Sequence, residues 1–192
     1  MTPPTDKTAL RARLRTLRKG LAAAAPDAAM RAAARLPLDR LPEFQSFAGY
    51  MAQGSEIDPS PLMRRLIDTG AEAALPIAVS RHEPLEFRLW DTRSPLERDA
   101  FGILGPPGWA DTVEPDLVIA PLLAFDRRGG RLGQGAGHYD RTLANLRATK
   151  PVFVLGLAYA GQEVDEIPME PHDQRLDAIL TETDFIAVAR ET

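Results

Sequence analysis

Residues 116–148 read DLVIAPLLAFDRRGGRLGQGAGHYDRTLANLRA, and this stretch decides the fold. Residues 116–123 are almost entirely apolar, which is typical of a strand buried on both faces of a sheet. A glycine-rich loop follows, and residues 139–148 have the apolar spacing of a helix that packs by one face. A buried strand that leads through a loop into such a helix is the repeating unit of a parallel sheet covered by helices.

The rest of the chain repeats this alternation of strands and helices. Further strands are expected at 47–51, 73–79, 85–90, 152–159 and 185–188, and helices at 6–19, 26–36, 58–69 and around 96–99. Gly20 suits the end of the first helix, and Asp58, Pro59 and Gly70 suit the two ends of the third. We therefore predict an α/β fold of three layers, α/β/α, with a mostly parallel central sheet that is Rossmann-like but without a dinucleotide fingerprint. No repeat or linker divides the chain, so residues 1–192 are expected to form a single domain.

Composition excludes several classes of protein. The 192 residues contain no cysteine, which excludes disulfide frameworks, cysteine-based zinc sites and a cysteine nucleophile. The net charge of -4 argues against a nucleic-acid binder, and the sequence has neither a signal peptide nor an apolar run of the roughly 18 residues that span a membrane. We therefore expect a cytoplasmic protein with no nucleic-acid or membrane partner. Residues 1–40 carry nine basic and three acidic side chains, so this end of the chain is suited to an anion.

The glycine loop indicates what kind of anion this is. Five of the nine residues from 129 to 137 are glycine, a density that lets backbone N–H groups point at a phosphate beside a helix N-terminus. Arg127, Arg128 and Arg131 would add positive charge to the same site. The spacing fits no Rossmann fingerprint, because His138 stands where glycine or alanine is required, and no Walker A loop, because a glycine–lysine pair is missing. Two interpretations remain open: a phosphate cradle, or a tight strand-to-helix connection.

Two further features bear on the phosphate cradle. Asp140 lies in the first turn of the helix after the loop, where a carboxylate suits either the helix N-terminus itself or a Mg²⁺ ion held against phosphates. In the first helix, basic residues recur at spacings of four, four and three, at Lys7, Arg11, Arg15 and Arg18. They form a stripe beside the apolar one. This basic stripe is either a solvated helix face or the second half of a polyphosphate site.

Residues 131–141, RLGQGAGHYDR, resemble the RLGxGxGYYDR signature of the 5-formyltetrahydrofolate cyclo-ligase family, also called 5,10-methenyltetrahydrofolate synthetases. The resemblance covers almost the whole chain. It is carried also by KTALRARLR (7–15), YMAQGSEID (50–58), LPIAV (75–79), PDLVIAPLLAFDRRGGRLG (115–133) and EPHDQRLDAILTET (170–183). The signature departs from its usual form at Gln134, Ala136 and His138, and His138 replaces a tyrosine that borders the folate site in the family.

The resemblance implies a role for each matching residue. It implies two catalytic residues, Arg131 and Asp140, and two Mg²⁺ ligands, Asp140 and Asp173. The residues that would bind folate are Met51, Glu56, Gln134, Gly135, Ala136, Gly137 and His138. The residues that would bind ATP are Lys7, Arg11, Arg131, Gly133, Gln134, Gly135, Ala136, Gly137, His138 and Tyr139.

The reaction implied by the resemblance belongs to one-carbon metabolism. ATP and Mg²⁺ would drive closure of 5-formyltetrahydrofolate to 5,10-methenyltetrahydrofolate, with phosphorylation of the formyl oxygen, attack by N10, and release of ADP and phosphate. The implied partners are these small molecules, and we expect a monomer with a dimer left open. Taken without the resemblance, the residues leave two other classes open: a non-catalytic sensor of a phosphorylated metabolite, and a sugar-phosphate isomerase or transferase with Glu56 as its general base.

Overall fold

The computed structural model describes residues 7–189, with the exception of the Lys7 side chain. Its α-helices are α1 (Lys7–Ala24), α2 (Ala28–Arg35), α3 (Ser60–Ile67) and α4 (His138–Thr149), and two 3-10 helices span Leu38–Arg40 and Ala160–Gln162. The strands of the main sheet are β1 (Ser46–Ala48), β2 (Glu72–Ala78), β3 (Leu85–Leu89), β6 (Leu117–Ala120), β9 (Phe153–Leu157), β10 (Ala178–Leu180) and β11 (Phe185–Ala187). Two small hairpins contain β4 (Glu97–Arg98) with β5 (Leu104–Gly105) and β7 (Ala124–Phe125) with β8 (Arg131–Leu132). No helix of residues 7–189 is long and apolar enough to cross a bilayer.

The seven-stranded sheet has the order β11-β10-β9-β6-β1-β2-β3. The five strands from β10 to β2 run parallel to one another, and β11 and β3 close the two edges in the antiparallel direction. The chain leaves β1 toward β2 on one side and later returns to pair β6 with the other side of β1. Such a reversal of strand order opens a crevice at the carboxyl ends of the two central strands, where ligands bind in open α/β sheets.

Alternating strand residues pack against helices on opposite faces of the sheet. Phe47, Leu117 and Leu155 belong to one apolar cluster with residues of α2 and α3, whereas Val118 and Val154 belong to another with residues of α4. Because successive side chains of a strand point to opposite faces, apolar residues at every position require a helical layer on both sides. The predicted three-layer α/β/α fold with a mostly parallel sheet is therefore confirmed.

Helix α1 differs from its prediction at its C-terminal end. The helix runs through Gly20 to Ala24, so Gly20 does not end it, and a Cβ atom at Gly20 would have no neighbour within 4 Å. Its buried residue Leu14 belongs to an apolar cluster with Leu123, which follows β6, and with Ala124 and Leu132 of the β7–β8 hairpin. Helix α1 therefore crosses the end of the sheet at which the parallel strands terminate.

The expected helix near residues 96–99 is wrong, because this segment is the first strand of the β4–β5 hairpin. Asp99 holds the hairpin: its Oδ1 atom accepts hydrogen bonds from the Phe101 and Ile103 N–H groups, each at 2.9 Å. The Oδ2 atom accepts a third, at 3.1 Å, from Ala78 at the end of β2. One carboxylate thus satisfies three backbone donors and fixes the hairpin to the sheet, an interaction that helical periodicity does not reveal.

Helix α3 follows its prediction closely. The Asp58 Oδ1 atom accepts hydrogen bonds from the Ser60 N–H group at 2.9 Å and from the Ser60 hydroxyl at 2.6 Å. The helix ends at Ile67, and Gly70 follows with φ of 92°. This left-handed conformation is one that glycine adopts without strain, as expected for a residue that terminates a helix.

Leu117→Ala should lower the free energy of unfolding by about 2–5 kcal/mol, because it leaves a cavity at a fully buried position of β6. The matched control is Leu17→Ala on α1, where the side chain is 43% exposed and the same truncation should cost less than about 1 kcal/mol. Denaturant unfolding of both variants checks the pair. Equal losses would contradict the assignment of β6 to the centre of the core.

Candidate active site

A cavity of about 490 Å³ lies at the carboxyl ends of β1, β2 and β6, beside the crevice where the strand order reverses. One wall consists of the glycine loop 133–137 and the start of α4. Residues after β1 and the β4–β5 hairpin also border the cavity. The volume lies within the range of cavities that bind metabolites and cofactors.

The glycine loop is held in place by a buried carboxylate at its start. The Asp126 Oδ1 atom accepts hydrogen bonds from the N–H groups of Arg128 and Gly130, and its Oδ2 atom accepts one from Ile167. Gly129 has φ of 82°, and a Cβ atom there would lie 2.6 Å from the Leu176 carbonyl oxygen, so only glycine fits this turn. Gly129 and Gly130 thus form a tight turn after the strand, which agrees with the interpretation of the glycines as a tight connection. The loop residues 133–137 that follow border the cavity.

Arg131 and Asp140 form an ion pair between the loop and α4. The Arg131 Nη2 atom lies 3.1 Å from the Asp140 Oδ1 atom, and the two side chains are 4% and 18% exposed. The Asp140 Oδ1 atom also accepts the N–H group of Gln174 at 3.0 Å. The Arg131 guanidinium lies 5.5 Å from the centre of the Tyr139 ring. Its buried Nε atom has no acceptor among residues 7–189, so this guanidinium retains unused capacity to donate.

The basic stripe of α1 meets the glycine loop. The Arg11 Nε atom donates to the Gly133 carbonyl oxygen at 3.1 Å, and the Arg15 Nε atom donates to the Gln134 side chain at 2.9 Å. Arg11 also borders the cavity. Lys7 begins α1, but its side chain lies outside the described residues. The stripe is therefore not simply a solvated face, because two of its arginines contact the loop.

Two arginines that were expected at the anion site lie elsewhere. Arg127 forms a bidentate pair with Glu163, and Arg128 pairs with Glu166 at 2.9 Å. All four side chains are at least 36% exposed, and none of them borders the cavity. The expectation that Arg127 and Arg128 add charge to the phosphate site is wrong, because the Asp126 turn directs them away from the loop.

Met51 and Glu56 follow β1 and border the same cavity as the glycine loop. The Glu56 Oε1 atom lies 3.5 Å from Nη1 of Arg18, and its Oε2 atom accepts the Gln53 N–H group at 2.9 Å. The neighbouring Tyr50 hydroxyl donates to the Ile57 carbonyl oxygen at 2.6 Å. Each Glu56 oxygen is thus held by one protein donor, and the carboxylate has a defined orientation beside the cavity.

His138 replaces the expected tyrosine without leaving the cavity wall. Its Nε2 atom lies 3.0 Å from the Ser80 carbonyl oxygen, and its ring lies 5.9 Å from the ring of Phe101 on the β4–β5 hairpin. Phe101 is 40% exposed and borders the same cavity. Sequence reasoning missed Phe101, because it lies between two-residue strands that carry little periodic signal.

Asp140 and Asp173 both border the cavity, as a shared metal site requires. The Asp173 Oδ2 atom accepts the Glu170 N–H group at 2.8 Å, and its side chain is 18% exposed. Residues 7–189 contain no group of three or more acidic or histidine side chains that could hold a metal by themselves. A metal at this place would therefore need oxygen ligands from a bound substrate or water.

Of the residues that the family resemblance assigns to the site, all whose side chains are described border one cavity, and the Lys7 side chain lies outside the described residues. The residues that border the cavity are Arg11, Met51, Glu56, Arg131, Gly133, Gln134, Gly135, Ala136, Gly137, His138, Tyr139, Asp140 and Asp173. They come from segments that are far apart in the chain. The ligand-binding roles given to them remain predictions, whereas their proximity is a property of the fold.

Two tyrosines whose phenol groups are buried, Tyr50 and Tyr139, border the cavity. Burial, and then the Glu56 carboxylate, raise the pKa of both Tyr50 and Tyr139 above the usual value of about 10. Burial also raises the pKa of Tyr159, the third tyrosine of the chain. Tyr50 and Tyr139 therefore stay neutral in the folded protein where a free tyrosine would ionise.

Alkaline titration of the folded protein should accordingly show less absorbance near pH 10 than three tyrosinates would give, because Tyr50 and Tyr139 stay neutral. Because the folded pKa values are raised, the contribution of these phenols to stability is complete below pH 10 and falls as the pH rises above it. The rest of the tyrosinate absorbance and the loss of helical circular dichroism should therefore appear together. A step equivalent to all three tyrosines near pH 10 in the folded protein would contradict the buried positions of Tyr50 and Tyr139.

Three comparisons place the chain among known proteins. The family model described as the 5-formyltetrahydrofolate cyclo-ligase family matches residues 4–182. The 5-formyltetrahydrofolate cyclo-ligase of Haemophilus influenzae is 33% identical over 180 residues, which cover 89% of this chain and 95% of that protein. The one of Mycolicibacterium smegmatis is 38% identical over 144 residues, covering 71% and 73%. The solved structure of Aquifex aeolicus 5,10-methenyltetrahydrofolate synthetase matches with a TM-score of 0.77 at 25% identity, covering 97% of this chain and 94% of that one. The chain therefore belongs to the 5-formyltetrahydrofolate cyclo-ligase family.

Proposed function

We propose that this protein uses ATP to cyclise 5-formyltetrahydrofolate to 5,10-methenyltetrahydrofolate, with release of ADP and phosphate. The observation that carries the proposal is a single cavity bordered both by the glycine loop, Arg11 and Arg131, and by Met51 and Glu56. Family membership favours this ligase activity over the metabolite sensor and the sugar-phosphate enzyme that the residues alone left open.

The phosphates of ATP occupy the arginine-rich wall. Phosphoryl oxygens accept hydrogen bonds, and this wall offers three kinds of donor. They are the backbone N–H groups of the loop, the N-terminus of α4, and the guanidinium groups of Arg11 and Arg131. Gly135 has φ of 112°, and a Cβ atom there would lie 3.3 Å from Arg11 Cζ, so glycine keeps the loop and α1 close together. ATP binds along 133–139, with Lys7 as a further contact.

The folate contacts Met51 and Glu56. It also contacts the glycine loop, at Gln134, Gly135, Ala136, Gly137 and His138. A carboxylate accepts hydrogen bonds only, and the Glu56 carboxylate suits the N–H donors at the edge of a pterin-like ring. The cavity brings the reacting groups together because both substrates contact the same glycine loop. This closeness converts a bimolecular reaction into one within a single complex.

The described acidic residues suit Mg²⁺ as a cofactor. Mg²⁺ in proteins is usually held by one or two carboxylates together with substrate phosphates and water, and Asp140 and Asp173 supply two carboxylates beside the phosphate wall. Each of them has one oxygen atom that accepts a backbone N–H group, so its orientation is fixed. When bound, the ion would neutralise charge on the transferred phosphoryl group.

The chemistry requires no covalent nucleophile from the protein. The formyl oxygen attacks the γ-phosphorus of ATP, and the bond from that phosphorus to the β–γ bridging oxygen breaks, releasing ADP. N10 then attacks the activated formyl carbon, loses its proton, and the C–O bond breaks to release phosphate. Arg131 and the loop N–H groups stabilise the charge that moves onto phosphoryl oxygens, and Asp140 holds Arg131 in place.

The remaining assignments extend the same proposal. The protein acts in the cytoplasm as a single domain over 1–192, as a monomer or a dimer, with 5-formyltetrahydrofolate and ATP as its partners.

Ultraviolet absorbance of the methenyl product tests the function directly. Purified protein is mixed with 5-formyltetrahydrofolate, ATP and Mg²⁺, and ATP and the metal are omitted in turn. We expect product only when all components are present. A folded protein that binds ATP but forms no product would favour the sensor, and product without ATP would exclude a ligase.

Arg11→Ala should raise the KM for ATP about tenfold to a hundredfold, because it removes a charge-assisted hydrogen-bond donor from the phosphate wall. The KM for the folate should change less than about threefold. Arg13→Ala is the matched control, since Arg13 lies on the exposed face of the same helix and does not border the cavity. Steady-state kinetics of both variants measure the two KM values. An equal change in the KM for ATP in both variants would show that Arg11 does not bind ATP.

Asp140→Asn should lower kcat about a hundredfold and raise the Mg²⁺ concentration needed for half-maximal rate, because the substitution removes a negative charge beside the metal. Asp39→Asn, at an exposed position that does not border the cavity, should leave both quantities unchanged. The readout is the Mg²⁺ dependence of turnover in each folded variant. An unchanged dependence in Asp140→Asn would show that this carboxylate is not a metal ligand.

A further inference from the structure

Arg18 is a buried cation in the last two turns of α1. Its residue exposure is 4%, whereas Arg11 and Arg15 of the same stripe contact the glycine loop. The Arg18 Nε atom donates to the Ser55 hydroxyl at 3.2 Å, and its Nη1 atom donates to the Leu122 carbonyl oxygen at 3.2 Å. Nη1 also lies 3.5 Å from the Glu56 Oε1 atom.

These contacts join the segments that follow β1 and β6. Ser55 and Glu56 follow β1, whereas Leu122 follows β6. Taking a guanidinium group out of water is costly, and the cost is offset here by a carboxylate and two further acceptors. Arg18 therefore binds the two sides of the central crevice to α1 through one side chain.

The orientation of Glu56 depends on this arrangement. One carboxylate oxygen faces Arg18 and the other accepts the Gln53 N–H group, so rotation about the last side-chain bond would break at least one contact. The Glu56 side chain is only 8% exposed, yet it borders the cavity, whereas Arg18 does not. Any effect of Arg18 on a bound molecule must therefore pass through its neighbours.

We propose that Arg18 is a positioning residue: its guanidinium group holds the Glu56 carboxylate in the orientation that accepts hydrogen bonds from the folate ring. The inference rests on the proposed function, because it takes the ligand beside Glu56 to be the folate. Helix α1 would then support both the ATP side and the folate side of the cavity. Arg11 contacts the glycine loop, and Arg18, seven residues or about two turns later, supports the folate side.

Binding of 5-formyltetrahydrofolate, measured by titration calorimetry, tests the proposal without requiring turnover. Arg18→Gln should weaken folate binding about tenfold to a hundredfold, because it removes the charge that faces Glu56. ATP binding should change less than about threefold. Arg18→Lys retains the charge, so it should recover folate binding to within about fivefold of the parent protein.

A double-mutant cycle separates positioning from a general structural effect. Glu56→Gln removes the group through which Arg18 acts, so adding Arg18→Gln to Glu56→Gln should weaken folate binding by less than about threefold further. A merely structural role would give the full loss again in the double variant. Thermal unfolding of each variant verifies that the proteins compared are folded.

Ser55→Ala provides a second route if Arg18→Gln does not fold. It removes the partner of Arg18 Nε and leaves both charges, so folate binding should weaken about threefold with ATP binding unchanged. Parent protein that binds no 5-formyltetrahydrofolate would overturn the proposed function and this inference with it. Parent protein that binds folate, together with additive losses in the cycle or unchanged binding in folded Arg18 and Ser55 variants, would overturn the inference alone.

Discussion

The parallel pairing of β1 with β6 is the constraint on which the rest of the site depends. Phe47 lies opposite Leu117 and Ala48 opposite Val118, so both strands end at the same edge of the sheet. Because the strand order reverses between these two strands, the segments that follow them diverge and leave a crevice beyond their ends. The segment after β1 brings Glu56 to this space, and the segment after β6 leads into the glycine loop. Two groups with different chemistry thus face one cavity.

Helix α1 closes this arrangement with three arginines that have different tasks. Arg11 and Arg15 bind carbonyl and side-chain oxygens of the glycine loop, whereas Arg18 is buried between the ends of β1 and β6. Leu14 lies between them in the sequence and packs in a cluster with residues of the β7–β8 hairpin. The helix is therefore fixed by apolar contact and by hydrogen bonds to the two segments that border the cavity. Arg11 and Arg15 place positive charge beside the glycine loop. The buried Arg18 guanidinium pairs with the Glu56 carboxylate.

The sequence permits prediction of those features that rest on local patterns. Fully apolar strands such as β6 imply helices on both faces, and dense glycines between a strand and a helix imply backbone exposed to a ligand. Features that depend on tertiary contacts cannot be predicted from local sequence patterns. The β4–β5 hairpin depends on the Asp99 carboxylate, and Gly20 continues a helix because packing of α1 outweighs its low helix propensity. The direction of Arg18 cannot be read from spacing either, because all basic residues of the stripe look alike until their partners are known.

Phosphorylation of the formyl oxygen transfers that oxygen atom to the phosphate that is released. We would supply 5-formyltetrahydrofolate labelled with ¹⁸O in the formyl group, together with ATP and Mg²⁺, and analyse the released phosphate by mass spectrometry. Phosphorylation of the formyl oxygen predicts that each phosphate released carries one labelled oxygen. Phosphate without the label, formed at the same rate as the methenyl product, would mean that ATP is hydrolysed by water and that the cavity does not align the formyl oxygen with the γ-phosphoryl group.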